Sequence, residues 1–418
     1  LDLQGYSQSS NGLRSGHLLT GSTTKHMRIV CVHQGFDLYG SDRAFLESVA
    51  AIRDGWPDAD IEVVLPREGT LAAPARRIAT RVTVEPLLIL RRRDLARLVL
   101  LAPFVAVPAV WRAAARMRAA DAVYINTLVV LDYLIAARFF RTKTVVHVHE
   151  MASGRVGHLL GALLRWTSST VIFNSRACRN AYQLPEAQPQ HVVYYGIASP
   201  DAIVPANYDG SRPLRLLMLG RINRIKGQNV LLEALSQLPP ALRDRLEVRI
   251  VGSSFDNDTA AEEALRRRVA EAGLARVVAF EPFREDTAPL YRWADIVAAP
   301  SRLPETLGRV AIEAAAHARP TLASSIGGLP EVVEDGVTGW LVRPDDATDL
   351  ARALAGILSD HEPWQGYGPA ARRRYQSLFD PAIVGRQIRS VVSSLLARSG
   401  PLLASPASLG DRGRTGKT

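Results

Sequence analysis

The sequence predicts an α/β protein built from two doubly wound, Rossmann-like domains facing each other across a cleft. Three observations predict it. The chain has 418 residues, more than one ordinary core holds. From Met27 onward, short apolar runs alternate with helical patterns, as right-handed βαβ units around a parallel sheet require. A polar, proline-containing stretch from Ala198 to Pro213 interrupts that alternation, which then begins again.

In the first half, "RIVCVH" reads as a buried strand. "DRAFLESVAAIRDG" then puts Phe45, Leu46, Val49 and Ile52 on one helical face and stops at Gly55. Further strands are expected at "IEVVLP", "AVYIN", "TVVHVH", "TVIFN" and "HVVYYG", and in the second half at "LRLLMLG", "EVRIVG", "RVVAFE", "DIVAAP" and "TLASS". These divide the chain into a leader or tag (1–26) expected to be disordered, an amino-terminal domain (27–200), a linker (201–213) and a carboxyl-terminal domain (214–375). Helices at 376–397 are expected to pack back on the amino domain, and a disordered tail (398–418) completes the chain.

Composition removes several classes. The net charge is +10, but the arginines are scattered and no nucleic-acid module is present, so an anionic ligand or an acidic membrane surface accounts for it and no nucleic acid is expected. Cys31 and Cys178 both sit in apolar runs, which fits a reducing compartment, so the expected location is cytoplasmic. "DRGRTGKT" imitates a phosphate loop, but Asp411 occupies its first glycine position. Asp58/Asp60 and Asp256/Asp258 read as turn chemistry rather than metal ligands, and no metal is assigned.

In open α/β sheets ligands bind outside the carboxyl ends of the strands, so those ends carry the candidate residues. "GRINRIKG" follows a strand there. Gly220 and Gly227 allow a tight turn, while Arg221 and Lys226 offer two cations to a charged leaving group; the plain alternative is a solvated basic turn. "HVHEM" puts His147 and His149 on one face, with His149 at the strand end; Ser153 stands where a zinc protease needs its second histidine. In "FDLYGSDR", Gly40 and Ser41 precede a helix whose N-terminus favours phosphate, although Ser41 or Asp42 as a simple cap suffices. In "PSRLPETLGRVAIEAAAHARP", Glu305 and Glu313 lie eight positions apart. That is about 12 Å of helical rise, beyond the roughly 5–9.5 Å of a glycosidase pair. The two carboxylates are better suited to gripping two parts of one long ligand. Glu313 suits vicinal hydroxyls, with Glu305 and the backbone of Thr306, Leu307 and Gly308 at the other end.

With these motifs in view, the chain resembles the retaining glycosyltransferases of family 4, which have the GT-B fold. Glu305 and Glu313 form an E-x7-E signature, "GRINRIKG" resembles the phosphate-binding turn, and "SIGGLPEVVEDGVTGWLV" resembles the Gly-Gly-x-Pro-Glu segment with its hairpin. "HVHE" and "FNS", the latter ending in Ser175, resemble the amino-domain cleft motifs; the likeness runs from Met27 to Ala397. It implies a nucleotide-sugar donor, UDP- or GDP-linked, as substrate, with no cofactor and no required metal. It also implies transfer with retention to a glycan or lipid-linked acceptor. Arg221 and Lys226 would stabilise the diphosphate, Glu313 the ribose and Glu305 the sugar, while His149 would stand near the reacting carbon and Gly40 near the phosphates. The amino domain would hold the acceptor, with Ser41, Asp42 and Ser175 on that side. The sequence departs from the family pattern at Tyr39, Tyr195, Glu281, Thr306 and Ala318. A nucleotide-sugar isomerase or epimerase, or a non-catalytic sugar-nucleotide-binding protein, is the competing reading.

One segment stands apart. From Arg91 to Arg118 an apolar run is bordered by arginines and Trp111. It is shorter than the roughly 20 residues a membrane span takes, and Pro103 and Pro108 are expected to interrupt a straight helix. It reads either as a buried helix pair or as a peripheral contact with an anionic membrane.

Overall fold

The computed structural model describes residues 26–38, 40–90, 95–151, 154–204, 206–254 and 259–399. Most of the expected leader, the tail from 400 with its phosphate-loop imitation, Tyr39, Arg91 to Arg93, and Asp256 with Asp258 lie outside the described residues.

The amino domain runs β1 (Arg28–Val32), α1 (Gly40–Gly55), β2 (Asp60–Leu65), α2 (Ala72–Ile78), β3 (Arg81–Val84), α3 (Leu95–Ala119), β4 (Ala122–Ile125), α4 (Leu131–Ala137), β5 (Thr144–Val148), α5 (Gly154–Thr167), β6 (Thr170–Phe173), α6 (Arg176–Tyr182) and β7 (Gln190–Val192). Its seven strands are all parallel, in the order β3-β2-β1-β4-β5-β6-β7. Central strands such as β4 are buried along their whole length, which is why they read as continuous apolar runs rather than alternating ones.

The carboxyl domain runs β8 (Leu214–Leu219), α7 (Gln228–Gln237), α8 (Pro240–Arg243), β9 (Leu246–Val251), α9 (Thr259–Glu271), β10 (Val278–Glu281), α10 (Ala288–Trp293), β11 (Ile296–Ala299), α11 (Arg309–Ala316), β12 (Thr321–Ser324), α12 (Leu329–Val332), β13 (Gly339–Val342) and α13 (Ala347–Ser359). Its six strands are also parallel, in the order β10-β9-β8-β11-β12-β13. The order reverses direction beside β8 and β11, so the crevice for a ligand opens between the loops that follow those two strands. Two helices close the chain: α14 (Tyr367–Leu378), packed on α11, and α15 (Pro381–Ser399), which returns to the amino domain and packs on α1. Val384, Ile388, Val391, Val392 and Leu395 of α15 share one apolar core with Phe45, Val49 and Ile52 of α1.

Two local readings need correction. "HVVYYG" is a strand only through Val192; Tyr194 and Tyr195 have left the sheet and turn toward the carboxyl domain. The segment with two prolines forms one helix of 25 residues, α3, rather than an interrupted pair. Nor is that helix wholly buried, because Trp111 is 73% exposed. No helix among the described residues is long and apolar enough to cross a membrane.

Candidate active site

The carboxyl-domain half of the site is built from glycines that let loops press together. Gly220 ends β8 at φ 142°, and Gly252 ends β9 directly against it: a Cβ on Gly252 would stand 2.1 Å from the Gly220 carbonyl oxygen. Gly227 caps α7 at φ 83°, where a Cβ would meet the Pro300 carbonyl oxygen at 1.9 Å. Only glycine permits both the left-handed conformation and that approach. Within the turn, Asn223 Oδ1 accepts hydrogen bonds from the Ile225 and Lys226 amides at 2.9 and 3.1 Å. The backbone is thereby set before any ligand arrives.

This turn delivers Lys226 to Glu305. Lys226 Nζ donates to Glu305 Oε2 at 2.6 Å, and the buried Ser301 hydroxyl donates to Oε1 of the same carboxylate. The expected diphosphate lysine and the expected sugar-binding glutamate therefore form one unit. Arg221 lies exposed at the start of the turn, its carbonyl accepting from Gln228 Nε2 at 3.0 Å.

The loop of Glu305, Thr306 and Leu307 rests on Gly327 and Gly328. Cβ atoms there would stand 2.2 Å from the Glu305 oxygen and 2.3 Å from the Thr306 oxygen, and the Gly328 amide donates to Glu305 O at 2.8 Å. The supporting role of these two glycines was not read from the sequence, although consecutive glycines in "SIGGLPE" are the signal for it. Gly308, at φ 86°, then starts α11, with Leu329 where its side chain would be. Leu307 is wholly buried and acts as the anchor of the loop.

On α11, Glu313 faces the amino domain with both oxygens engaged. Arg309 Nε donates to Oε1 at 3.0 Å and the Tyr291 hydroxyl to Oε2 at 2.8 Å. Arg309 also reaches across the cleft, donating from Nη2 to Glu47 of α1 at 3.2 Å, while its stem lies 3.6 Å from the Cβ position of Gly40. Burial pushes the Glu47 carboxyl up to about 7, even with Arg309 beside it. A cavity of about 480 Å³ opens here, bounded by Glu313, Arg309, Tyr291 and His317 on one side and by Arg43 and Glu47 on the other.

The amino-domain half is a chain of buried polar groups at the ends of β1, β4, β5 and β6. His33 bonds Asp42 Oδ1 through Nε2 at 2.7 Å and accepts from Asn126 Nδ2 on Nδ1 at 3.1 Å. Asn126 Oδ1 accepts from His149 Nε2 at 2.9 Å. The Tyr195 hydroxyl donates to His149 Nδ1 at 3.2 Å and accepts from Asn174 Nδ2 at 2.7 Å. Thr306, from the other domain, lies beside the same phenol. Two departures from the family pattern, Tyr195 and Thr306, thus meet across the cleft.

This chain shows where three of the expected site residues lie. Both ring nitrogens of His149 are used within the protein, and burial, with His147 and His33 nearby, holds it neutral well below the usual histidine range. Its ring is thereby fixed in place between Asn126 and Tyr195. Asp42 is not presented to an acceptor but is buried against His33. Ser175 is wholly buried too, its hydroxyl accepting from the Cys178 amide at 2.9 Å as the cap of α6. Ser41 stands half-buried in the first turn of α1. Glu331 was not picked out by the sequence. It joins the two domains by accepting from the Arg176 and Ala177 amides at 2.8 and 2.7 Å and from the Tyr194 hydroxyl at 3.1 Å.

Two other carboxylates singled out in the sequence have structural partners. Asp60 pairs with Arg81 and Arg28, and Glu281 with Arg284 and Arg249. Among the described residues no group of three His, Cys, Asp or Glu side chains is arranged to hold a metal ion.

Comparison with known proteins bears on this geometry. Residues 213–360 match the family glycosyl transferases group 1. A D-inositol 3-phosphate glycosyltransferase of Geodermatophilus obscurus is 40% identical over 152 residues, 35% of this chain and 34% of that protein. Its counterpart in Streptomyces coelicolor is 39% identical over 166 residues, 38% and 36% of the two chains. The chain thus matches only about a third of the length of these curated relatives. The crystal structure of Anabaena HepE in complex with UDP superposes with a TM-score of 0.72 at 25% identity, over 88% of this chain and 100% of that one. The sucrose-phosphate synthase of Thermosynechococcus elongatus shares the fold at a TM-score of 0.69 and 20% identity, over 90% and 100%. Residues 213–360 are a glycosyl transferases group 1 domain, and with the amino-terminal sheet facing it the chain has the GT-B architecture.

Proposed function

We propose that this protein is a retaining glycosyltransferase that moves a sugar from a nucleoside diphosphate sugar to a glycan or lipid-linked acceptor, with no required metal ion. The observation that carries the reading is the unit made by Lys226, Ser301 and Glu305. It sits on glycine-built loops at the crevice of the carboxyl sheet, with Glu313 farther along the helix that follows. A uridine nucleotide is the favoured donor, because HepE of Anabaena, which shares the fold at 25% identity, has been crystallised with UDP and with UDP-glucose.

In this reading the bond between the anomeric carbon and the diphosphate oxygen breaks, a bond from an acceptor hydroxyl to the same carbon forms on the face the diphosphate leaves, and the hydroxyl's proton passes to the departing diphosphate oxygen. Charge develops on the departing diphosphate. Lys226, with three N–H donors and only one spent on Glu305, can serve that charge without releasing the carboxylate, and Arg221 adds a second cation. Glu305, so held, keeps its remaining lone pairs for sugar hydroxyls. Glu313 has lone pairs left for the ribose. Calorimetric titration with UDP, GDP, UDP-glucose and GDP-mannose tests the donor, and NMR of the anomeric proton in the product tests retention. Activity that EDTA abolishes and a divalent ion restores would overturn the metal-free reading. A product formed without any acceptor would favour the isomerase.

The acceptor side supports a lipid-linked substrate met at a membrane. Beyond Trp111 on α3, Phe139 after α4 is 75% exposed, and Leu159 and Trp166 of α5 are exposed as well. Helices α3, α4 and α5 adjoin on one face of the sheet, and Arg138 stacks on Trp166 there. Exposed rings among arginines suit an anionic bilayer surface. The reading puts the enzyme in the cytoplasm, peripheral on the inner face, and two free, buried cysteines fit that compartment. Sedimentation with anionic liposomes, weakened by salt and by Trp111→Ser with Phe139→Ser, is the expected result. No binding at low salt would leave a soluble acceptor.

A further inference from the structure

We propose that Arg309 is a positioning residue for the donor's ribose. It fixes the Glu313 carboxylate, and Glu47 of the facing domain in turn fixes Arg309, so the grip on the ribose is set by the two domains together. The inference rests on the nucleotide-sugar reading above and assigns a duty to two residues that reading leaves idle.

An ordinary pair four positions apart on a helix is exposed and worth a few tenths of a kcal/mol. Arg309 and Glu313 have that spacing but not that setting. The guanidinium is mostly buried and is shared with a carboxylate 262 positions away in the sequence. Besides Arg43 on its own helix, Arg309 is the cation beside Glu47, and it lowers a carboxyl that burial raises to about 7. Glu313 contributes a second negative charge to the same guanidinium. Each residue therefore depends on the others for its direction.

The contacts also differ in kind. Tyr291 and Arg309 hold one Glu313 oxygen each, which fixes the plane of the carboxylate. Glu47 meets Arg309 at a single point, and Glu47 Oε2 and Arg309 Nη1 are buried with no hydrogen-bond partner. A bidentate pair would be geometrically tighter. The one-point pair lets the amino domain align the arginine while leaving the domains able to separate and exchange nucleotide. A carboxylate whose orientation is set in advance loses less freedom when vicinal hydroxyls bind it.

The test measures binding by the full chain of UDP and 2′-deoxy-UDP, and in parallel of GDP and 2′-deoxy-GDP, by calorimetry. The wild-type protein is expected to prefer the ribonucleotide by about tenfold, the size of one hydrogen bond to a charged group. Glu313→Gln, the control, should lose most of that preference. Arg309→Gln should lose it as well while leaving the deoxynucleotide affinity unchanged. Arg309→Lys should restore part of it, and Glu47→Gln should fall between wild type and Arg309→Gln. An Arg309→Gln protein that keeps the preference, or one that weakens both nucleotides equally, overturns the positioning role. A Glu47→Gln protein with the wild-type preference overturns the part played by the facing domain. Failure of the wild-type protein to bind either nucleotide would instead strike down the nucleotide-sugar reading, and this inference with it.

Discussion

The two faces of the cleft are built on opposite principles. On the carboxyl face, oppositely charged side chains pair, with Lys226 against Glu305 on loops fixed by glycines and Arg309 against Glu313 on α11. On the amino face a run of histidines, amides and a phenol is hydrogen-bonded end to end. A leaving diphosphate needs charge held near water, whereas an acceptor hydroxyl needs a shaped wall. The difference shows why charge-changing and shape-changing substitutions should separate by domain.

The largest expected effect belongs to the charged face. Lys226→Ala and Arg221→Ala should each lower turnover by about 10²–10³, as loss of one donor to developing charge does, with the fold intact by circular dichroism. Near-normal turnover in a folded double variant would break the comparison. The two glutamates should then divide. Glu313→Ala should weaken binding of free UDP, whereas Glu305→Ala should spare it and impair transfer, and calorimetry with UDP alone reads the difference. Equal losses would mean that the two carboxylates grip the same part of the ligand.

The amino face is expected to respond to acid. Burial lowers the pKa of His147 to about 3. Between that value and the ordinary histidine range near 6.5, the unfolded chain binds a proton that the folded chain refuses. Its contribution to stability is complete above about 6.5 and is lost as pH falls toward 3. Unfolding followed from pH 7 to pH 4 should show wild type losing more stability than His147→Gln. Parallel losses would remove His147 from the account.

The smallest effect is a gain. Ala318 follows α11 with φ 54°, the left-handed conformation that glycine adopts without strain. Ala318→Gly should stabilise the protein by about 1 kcal/mol, read as a rise in melting temperature. This position also explains one departure from the family pattern: the usual glycine is a backbone requirement, which alanine meets under strain.

What was legible in the sequence was what the local backbone dictates. Strands buried on both faces, the Gly220–Gly227 turn and the loop from Glu305 to Gly308 all depend on residues adjacent in the chain. The amino-domain site was less legible because its partners are distant. His149 is fixed by Asn126 and Tyr195, 23 and 46 positions away, and nothing near His149 in the sequence announces either. Ser175 and Asp42 carry the residue types of both a ligand contact and an internal cap, and only the fold decides between them. Arg309 was passed over because its cross-cleft partner lies 262 positions earlier. Pro103 and Pro108 misled in the other direction, since α3 continues through both.

The return of α15 to the amino domain has a consequence for how the molecule is made. The core around Phe45 and Ile52 takes five of its apolar side chains from Val384 to Leu395, more than three hundred residues later. During synthesis the amino domain therefore waits, with one side of α1 uncovered, until α15 has left the ribosome. The second domain closes its sheet from contiguous residues and should finish first, so the order of folding is the reverse of the order of translation. Chains truncated before Pro381 should consequently fail in the amino domain, far from the cut.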